Sequence, residues 1–521
     1  RLSLSGGGEG WIAGFSQIGT DGFRDHSEAQ RHSLNTKMQQ ALGDGDLTLL
    51  LNHFEAPDAQ DPLGLTRSQF EADPRQTAAA AIDFNTRKSV RQTQAGAVYQ
   101  QRDHGEGALR LMAYAGTREI EQFLAIPMTT QSNPRHSGGV VDLSTGYGGG
   151  DLRWSREGER LSWVGGISLE QLRQHRQGFE NFRDEQLGVK GALRRNEINE
   201  VSAFDQYLQL DLMLSPRVTG LVGARHSTVR FTSQDRYVRA GNPDDSGQTR
   251  YRQLTPVAGL MFRQRSGRHW YAAYGRGFET PTFAELAYRS DGEGGLNFSL
   301  APAVSRNTEL GLKARMGSQT RMNLALFHTD TRNELVTVSN FGGRASFANA
   351  TRTRRQGAEA LLESRLGDAL RLTTALTLLH AEVRKSYLSC TALPCTTAQT
   401  VIARGRQLPG TARGQLFARI DYRPRPNWTT AIEYRYLDSV PVNDANSEFA
   451  PSYAVLDLES SYRHRIRGEE TLRYSLKFEN LLDERYAGSI IVNDGNGRYY
   501  EPARGRGINF GLTWNLVKTG N

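Results

Sequence analysis

The sequence predicts an all-β chain that folds as one transmembrane antiparallel β-barrel over residues 1–521, and three observations support this prediction. Apolar and polar residues alternate with a period of two along the whole chain, as strands with two unlike faces require. Short turns alternate with long polar loops, which is typical of barrels that cross a membrane. Only 37% of the 521 residues are hydrophobic, which is little apolar material for the cores of several soluble domains.

The alternation is clearest near the end of the chain, where apolar residues share one face of the last predicted strand: Ile508, Phe510, Leu512, Trp514 and Leu516. In segments 428–436 and 472–479, Arg, Lys and Glu lie opposite the aromatic and aliphatic positions. This distribution suits a barrel with an apolar exterior and a polar lumen. A soluble β-sandwich requires the reverse, because its apolar faces pack inside.

The connections predict about 21 strands in this chain. Long polar loops are expected at 58–86, 125–137, 180–198, 236–251, 281–305, 387–412, 439–451 and 487–506. The last strand should run from the long-loop side to the short-turn side, and counting back gives residues 1–7 the same direction. A strand that runs from the short-turn side to the long-loop side is therefore expected before them. It would give about 22 strands, the size of barrels whose lumen holds a plug.

Charge and motif content exclude several other classes of protein. The net charge is +8, but the arginines are scattered along the chain, whereas a nucleic-acid-binding surface needs its charges together. A basic lumen suited to an anionic ligand is the better explanation. The glycine run Gly148–Gly150 has no strand-to-helix context and is interpreted as a turn or a strand position that lets the sheet bend. We predict no enzyme, no cofactor and no metal site.

The chain has two cysteines, Cys390 and Cys395, five positions apart in a predicted loop. With no other cysteine to pair with, they predict a small loop disulfide in an oxidising compartment. A metal site is the alternative, which the lack of a nearby histidine disfavours.

Four segments resemble signature stretches of the barrels of TonB-dependent outer-membrane receptors. They are Tyr274–Leu286 (YGRGFETPTFAEL), Asn307–Lys313, Phe347–Glu359 and Phe478–Ala487. The four occur in the order expected for that family over roughly the second half of the chain. Each alone is a weak signal, but their combination is specific. The first half resembles the family by its strand-and-loop pattern.

The resemblance implies a 22-stranded barrel in the lipid of the bacterial outer membrane, occluded by an N-terminal plug and energised through that plug by the TonB complex. It also implies a ligand that is a ferric siderophore or another metal chelate. This sequence departs from the family pattern in two ways. The plug is not present in it, and Val517–Asn521 follows Leu516 where the family commonly ends on an aromatic residue.

The expected function is active import of a ferric siderophore or related metal chelate, and the expected contacts lie in the long loops. Such chelates are often anionic and rich in oxygen, so Arg and Tyr donors suit them. The candidate ligand-binding residues are Tyr288, Arg289, Arg344, Tyr499 and Tyr500. They could instead be structural loop residues. A plugless, porin-like passive channel stays open as an alternative function. A soluble all-β carbohydrate-binding or surface-adhesion protein is disfavoured, because it would have to bury every apolar stripe.

Overall fold

The computed structural model describes residues 1–101, 107–264, 267–289, 291, 293–341, 344–389 and 399–516. Its strands are, in chain order, β1 (Leu2–Gly8), β2 (Trp11–Thr20), β3 (Ala29–Leu42), β4 (Gly45–Gln60), β5 (Arg87–Gln101), β6 (Ala108–Phe123), β7 (Val140–Arg156), β8 (Leu161–Phe179), β9 (Phe182–Arg183), β10 (Gln186–Leu187), β11 (Leu193–Ser215), β12 (Val218–Asp235), β13 (Gly247–Gln264), β14 (Arg268–Glu279), β15 (Ala303–Met316), β16 (Thr320–Phe341), β17 (Arg344–Leu366), β18 (Leu370–Val383), β19 (Tyr387–Ser389), β20 (Thr400–Ile402), β21 (Gly414–Arg425), β22 (Trp428–Leu437), β23 (Val440–Pro441), β24 (Phe449–Ala450), β25 (Tyr453–Arg467), β26 (Glu470–Glu479), β27 (Ala487–Ile490), β28 (Tyr500–Pro502) and β29 (Gly507–Asn515). The helices are α1 (Arg67–Ala72), α2 (Ala79–Asp83), α3 (Met128–Gln131) and α4 (Phe283–Leu286).

One sheet of 21 strands organises the described residues, and it confirms the predicted all-β class and strand count. Each sheet strand pairs antiparallel with the sheet strand next to it in sequence, as in an up-and-down meander. The remaining strands form four short hairpins within the loops: β9–β10, β19–β20, β23–β24 and β27–β28. No helix in the described residues is long and apolar enough to cross a membrane.

Apolar side chains cover the outer face of the sheet, as the alternation predicts. On β29, Ile508, Phe510, Leu512 and Trp514 are 64%, 70%, 58% and 59% exposed. Leu254 and Leu260 on β13 are also more than half exposed. An outer face of this kind would be unfavourable in water, because large exposed apolar patches promote association. It matches the lipid-facing belt of a membrane barrel.

Charged side chains on the opposite face pair with one another. The carboxylate of Asp457, which is 2% exposed, lies 2.8 Å from Arg435 Nη2 and 3.3 Å from Lys477 Nζ. Arg435 also lies 3.5 Å from Glu433, and Lys477 lies 3.2 Å from Glu479. Buried charges require such partners because their desolvation is otherwise costly. This network supplies the polar interior that the sequence predicts.

Glycines on the inward face make room for aromatic rings on the neighbouring strand. Each glycine pairs directly with an aromatic residue, and a Cβ atom on it would press against that ring: Gly116 with Tyr147, Gly149 with Tyr114, Gly166 with Tyr207, Gly311 with Tyr271, and Gly357 with Phe327. A ring lying across a glycine covers the exposed backbone and helps to fix the register. The run Gly148–Gly150 is therefore strand, and Gly149 is one of these positions.

Replacing Gly311 with valine is expected to destabilise the barrel by about 1–3 kcal/mol, because the new side chain would overlap the Tyr271 ring. The overlap would also displace the Tyr271 hydroxyl, which donates to Glu309 at 2.5 Å. Thermal unfolding of the protein in detergent measures the effect. The matched control is Gly275→Ala on β14, where the nearest atom would be 3.9 Å away. Equal unfolding temperatures for both variants would contradict this packing argument.

Candidate functional site

The loops and strand ends opposite the short turns enclose a cavity of about 690 Å³. Its walls come from segments far apart in sequence, including Ala80 and Phe84, residues 125–137, Arg194 and Arg195, the loop around Tyr288, and Arg498. Arginines outnumber carboxylates among its described lining residues. The arginines are Arg135, Arg194, Arg195, Arg289, Arg344 and Arg498, and the carboxylates are Glu197, Asp235, Asp245 and Glu293. The cavity therefore favours an anionic occupant.

Tyr288 is placed in this cavity by helix α4. Thr282 caps the helix by accepting from the Glu285 backbone N–H at 3.3 Å, and the Glu285 carboxylate accepts from the Thr282 N–H at 2.7 Å. This reciprocal pair is a capping box. Leu286 is fully buried in an apolar cluster that includes Phe231. Because α4 is anchored in this way, it fixes the position of the backbone at Tyr288, two residues after the helix ends.

The Tyr288 ring lies between two guanidinium groups. Its centroid is 5.1 Å from Arg176 Cζ and 4.8 Å from Arg344 Cζ. Arg176 Nη2 also donates to the Tyr288 hydroxyl at 2.9 Å. Burial alone raises the pKa of the Tyr288 phenol, but the charges of Arg176, Arg344 and Arg195 outweigh it and lower that pKa below its ordinary value. The local field is therefore strongly positive.

Buried Arg195 extends this positive group. It forms an ion pair with Glu197, which is 2% exposed, and its Nη1 donates to the Ala287 carbonyl at 2.9 Å. Three guanidiniums (Arg176, Arg195 and Arg344) thus surround Tyr288, and Glu197 is the carboxylate beside them. The cluster keeps an excess of positive charge.

Several N–H donors of this cluster have no acceptor in the part of the chain that the structure describes. Arg344 Nε and Nη2 and Arg195 Nη2 are buried without a hydrogen-bond partner among those residues, as is Arg194 Nε. An unpaired, buried donor on a charged group is costly, so such donors are rare. Here they lie together, beside the cavity. The arrangement can donate hydrogen bonds to the oxygens of an anion that reaches these N–H groups.

His136 contributes a neutral partner for Arg344. Arg344 Nη1 lies 2.8 Å from His136 Nε2, and because a guanidinium only donates, this nitrogen must accept. Burial, followed by the charges of Arg344 and Arg194, lowers the pKa of His136 to about 3. The imidazole therefore adds no positive charge to the cluster near neutral pH.

Lowering the pH from 7 to 5 is expected to destabilise segment 124–139. His136 has an ordinary pKa of 6.5 when unfolded and about 3 when folded, so the unfolded segment takes up the proton first. The stability that the buried, neutral His136 contributes is fully present above pH 6.5 and is lost as the pH falls toward 3. Hydrogen exchange of this segment at pH 7, 6 and 5 measures the effect. The loss should disappear in His136→Gln, and an unchanged pH dependence in that variant would contradict the assignment.

The structure brings three of the five predicted ligand residues together. Tyr288, Arg289 and Arg344 all line the cavity. Arg289 is already paired with Asp291, at 2.6 Å between Nη2 and Oδ2. Arg344 is the most available of the three, because two of its donors are unpaired.

Tyr499 and Tyr500 lie outside this cavity, in another loop cluster. Tyr500 is 0% exposed, its hydroxyl donates to Glu448 at 2.5 Å, and its ring stacks on Phe70 at 5.3 Å. Tyr499 packs against the same cluster. These contacts give Tyr500 a structural role in this conformation. Ligand binding by either tyrosine stays a prediction.

Sequence reasoning missed Arg176, Arg195, Glu197 and His136. Arg176 falls on the inward face of a predicted strand, whereas Arg195 and Glu197 fall in the predicted loop 180–198. No local pattern indicates that the three side chains meet. The capping box at Thr282 and Glu285 was the one local signal that marks the helix before Tyr288. Cys390 and Cys395 fall outside the described residues, so the disulfide also stays a prediction. Among the described residues, no three His, Cys, Asp or Glu side chains are grouped to hold a metal ion.

Comparison with known proteins gives both a family match and a fold match. The family model "TonB dependent receptor-like, beta-barrel" matches residues 19–481. A probable TonB-dependent siderophore receptor of Acinetobacter baumannii, PiuA, is 23% identical over 236 residues, which span 45% of this chain and 30% of that relative.

Two solved structures share the fold over almost the whole chain. The siderophore receptor PiuA from Acinetobacter baumannii superposes with a TM-score of 0.77 at 15% identity, covering 98% of this chain and 78% of that one. The ferric citrate transporter FecA, in its unliganded form, superposes with a TM-score of 0.75 at 16% identity, covering 98% and 74%.

Proposed function

Because this chain belongs to the TonB-dependent receptor β-barrel family, we propose that it is the barrel of an outer-membrane importer of a ferric siderophore or related metal chelate. The cell would be a Gram-negative bacterium, and the TonB complex would supply the energy. The names of the similar proteins support this choice of substrate, since they include a siderophore receptor and a ferric citrate transporter.

The observation that carries the proposal is the group of unpaired arginine donors beside the cavity. Arg344 and Arg195 together hold three buried N–H groups without acceptors, next to the half-buried phenol of Tyr288. Carboxylate, catecholate or hydroxamate oxygens of a chelate would provide those acceptors. Guanidinium groups suit this task because they bind planar, oxygen-rich anions through two parallel hydrogen bonds.

Capture would begin at the loop end of the barrel. The arginine excess attracts an anionic chelate, and its oxygens accept hydrogen bonds from the unpaired N–H groups of Arg344 and Arg195. Arg195 and Glu197 form a fixed part of the site, because Arg195 pairs with Glu197 and also donates to the Ala287 carbonyl. Release into the lumen would require an energy-driven change, because a site with several charge-assisted bonds lets its ligand go slowly.

A plugless passive channel receives less support. Conduction requires binding that is weak enough for the solute to leave quickly. A cavity with grouped, unpaired guanidinium donors is better suited to retention. The cavity walls also come from several loops that meet at this end of the barrel.

Binding and uptake of radioactive iron chelates test the proposal. The intact protein in detergent is titrated with ferric citrate, with a ferric catecholate and with a cationic ferric hydroxamate, and uptake is followed in iron-starved cells with and without TonB. We expect submicromolar binding of an anionic chelate and uptake that needs both the protein and TonB. Passive solute flow through the reconstituted protein, with no chelate bound, would overturn the proposal in favour of the channel.

A further inference from the structure

The outer face of strands β8, β12 and β13 changes from apolar to basic toward the loop end, while β11 between them carries Glu200. Outward positions along β13 run from Leu260 and Leu254, both more than half exposed, to Arg252 and Arg250. The register places Arg230 of β12 directly opposite Arg250. A row of exposed arginines therefore borders the apolar belt on this side of the barrel.

A groove of about 900 Å³ lies at this border. Its floor includes glycines of β7, and a Cβ atom at Gly146 would meet nothing within 4 Å. Leu169 and Phe204 lie on the side of the apolar belt, while Arg230 and Arg250 line the loop side. The groove is thus apolar at one end and cationic at the other. This distribution is complementary to a membrane lipid with an apolar tail and an anionic headgroup.

Two of the three arginines that line this groove, Arg230 and Arg250, have no anionic partner among the described residues. Arg230 donates to the Gln248 side chain at 2.6 Å, and in the described part of the chain neither Arg230 nor Arg250 forms an ion pair. Arg173, also in the groove, lies 3.3 Å from Glu200. Like charges directly opposite on neighbouring strands are unfavourable, so an anion between Arg230 and Arg250 would remove a repulsion.

A nearby part of the same outer face shows the opposite arrangement. Arg91 of β5 lies 2.9 Å from Glu55 and 3.8 Å from Glu119, so its charge is neutralised within the protein. Glu119 pairs in register with Ser144, two residues before Gly146 of the groove. Outward arginines are thus ion-paired in one place and, among the described residues, unpaired in the other.

We propose that this groove binds a membrane lipid with an anionic phosphate headgroup. The phosphate lies between Arg230 and Arg250, whose guanidiniums bind it through charge-assisted hydrogen bonds. An acyl chain follows the glycine floor toward Leu169 and Phe204. The inference depends on the membrane location proposed above but not on chelate import, because the groove lies on the outer face and the cavity inside.

Native mass spectrometry of the intact protein tests the proposal. Detergent-solubilised protein is titrated with phosphatidylglycerol and with phosphatidylcholine of the same acyl chains, and the fraction with bound lipid is measured. We expect preferential binding of the anionic lipid. In a double variant, R230Q with R250Q, its affinity should fall about 25-fold, since each cation near an anionic surface contributes about fivefold.

The matched control is R91Q, which removes an outward arginine that is already paired; it should bind phosphatidylglycerol as the unmodified protein does. Titration with a ferric chelate in parallel checks that the double variant is folded and that its cavity is intact. Equal binding of both lipids, or equal loss in R91Q and in the double variant, would overturn the proposal. Failure of chelate binding in every form would count against the proposed function instead.

Discussion

Replacing Arg344 with glutamine is expected to weaken binding of an anionic ferric chelate by about 100-fold. Arg344 holds two buried donors without acceptors and covers one face of Tyr288. Hydrogen bonds to charged groups contribute about 1.5–3 kcal/mol each. At the lower figure, loss of two such bonds corresponds to about two orders of magnitude in the dissociation constant. Fluorescence titration of the intact protein in detergent measures this dissociation constant.

Two further variants distinguish the effect of donor geometry on chelate binding from the effect of positive charge alone. R344K keeps the charge but cannot present two parallel donors, so we expect an intermediate loss of about tenfold. R289Q removes another cavity arginine, but that guanidinium is ion-paired with Asp291, and we expect less than a fivefold effect. Equal losses for R344Q and R289Q would mean that only the net charge of the cavity matters.

Replacing Tyr500 with alanine is expected to lower the local free energy of unfolding of its loop cluster by about 3–5 kcal/mol, as for other large aromatic residues in cores. Tyr500 is fully buried, and its backbone pairs with Leu65 in a different loop. Its ring stacks on Phe70, and its hydroxyl binds Glu448. Hydrogen exchange of segments 438–452 and 480–506 measures the loss.

The variant Tyr500→Phe keeps the ring and removes the hydroxyl, which donates to Glu448 at 2.5 Å and lies 3.3 Å from the Phe449 carbonyl, so the expected loss is smaller, about 1.5–3 kcal/mol. Both variants are titrated with the chelate as well. A large loss of chelate binding in Tyr500→Phe, with hydrogen exchange unchanged, would contradict the structural role. It would favour the ligand contact that the sequence predicts for Tyr500.

The fold could be predicted from the sequence because its signals are local. A strand that faces lipid on one side and a polar lumen on the other must alternate, as Phe510, Leu512 and Trp514 do. Short turns mark where each hairpin reverses. The strand count of about 21 agrees with the structure for the same reason. Strand ends were less accurate, since β11 starts at Leu193 within a predicted loop, where hairpin pairing continues beyond the apolar belt.

The candidate site was predicted only in part. Tyr288 and Arg344 were chosen for residue type and for their place in or beside a loop, and they do meet at one cavity. Tyr500 was chosen on the same grounds, yet it packs as a core residue of the loops. Residue type and loop position are the same for both tyrosines. They differ in what surrounds them, which the local sequence does not specify.

The sequence by itself thus determined the class of fold, the faces of the strands and the family, because each depends on neighbours close in the chain or on short motifs. Only the tertiary structure decided that Arg176, Arg195, Arg344 and His136 gather around Tyr288. It also decided that Arg230 and Arg250 lie opposite each other, with neither ion-paired to a carboxylate of the described residues. Those contacts join residues from separate strands and loops, and strand register and loop packing determine them.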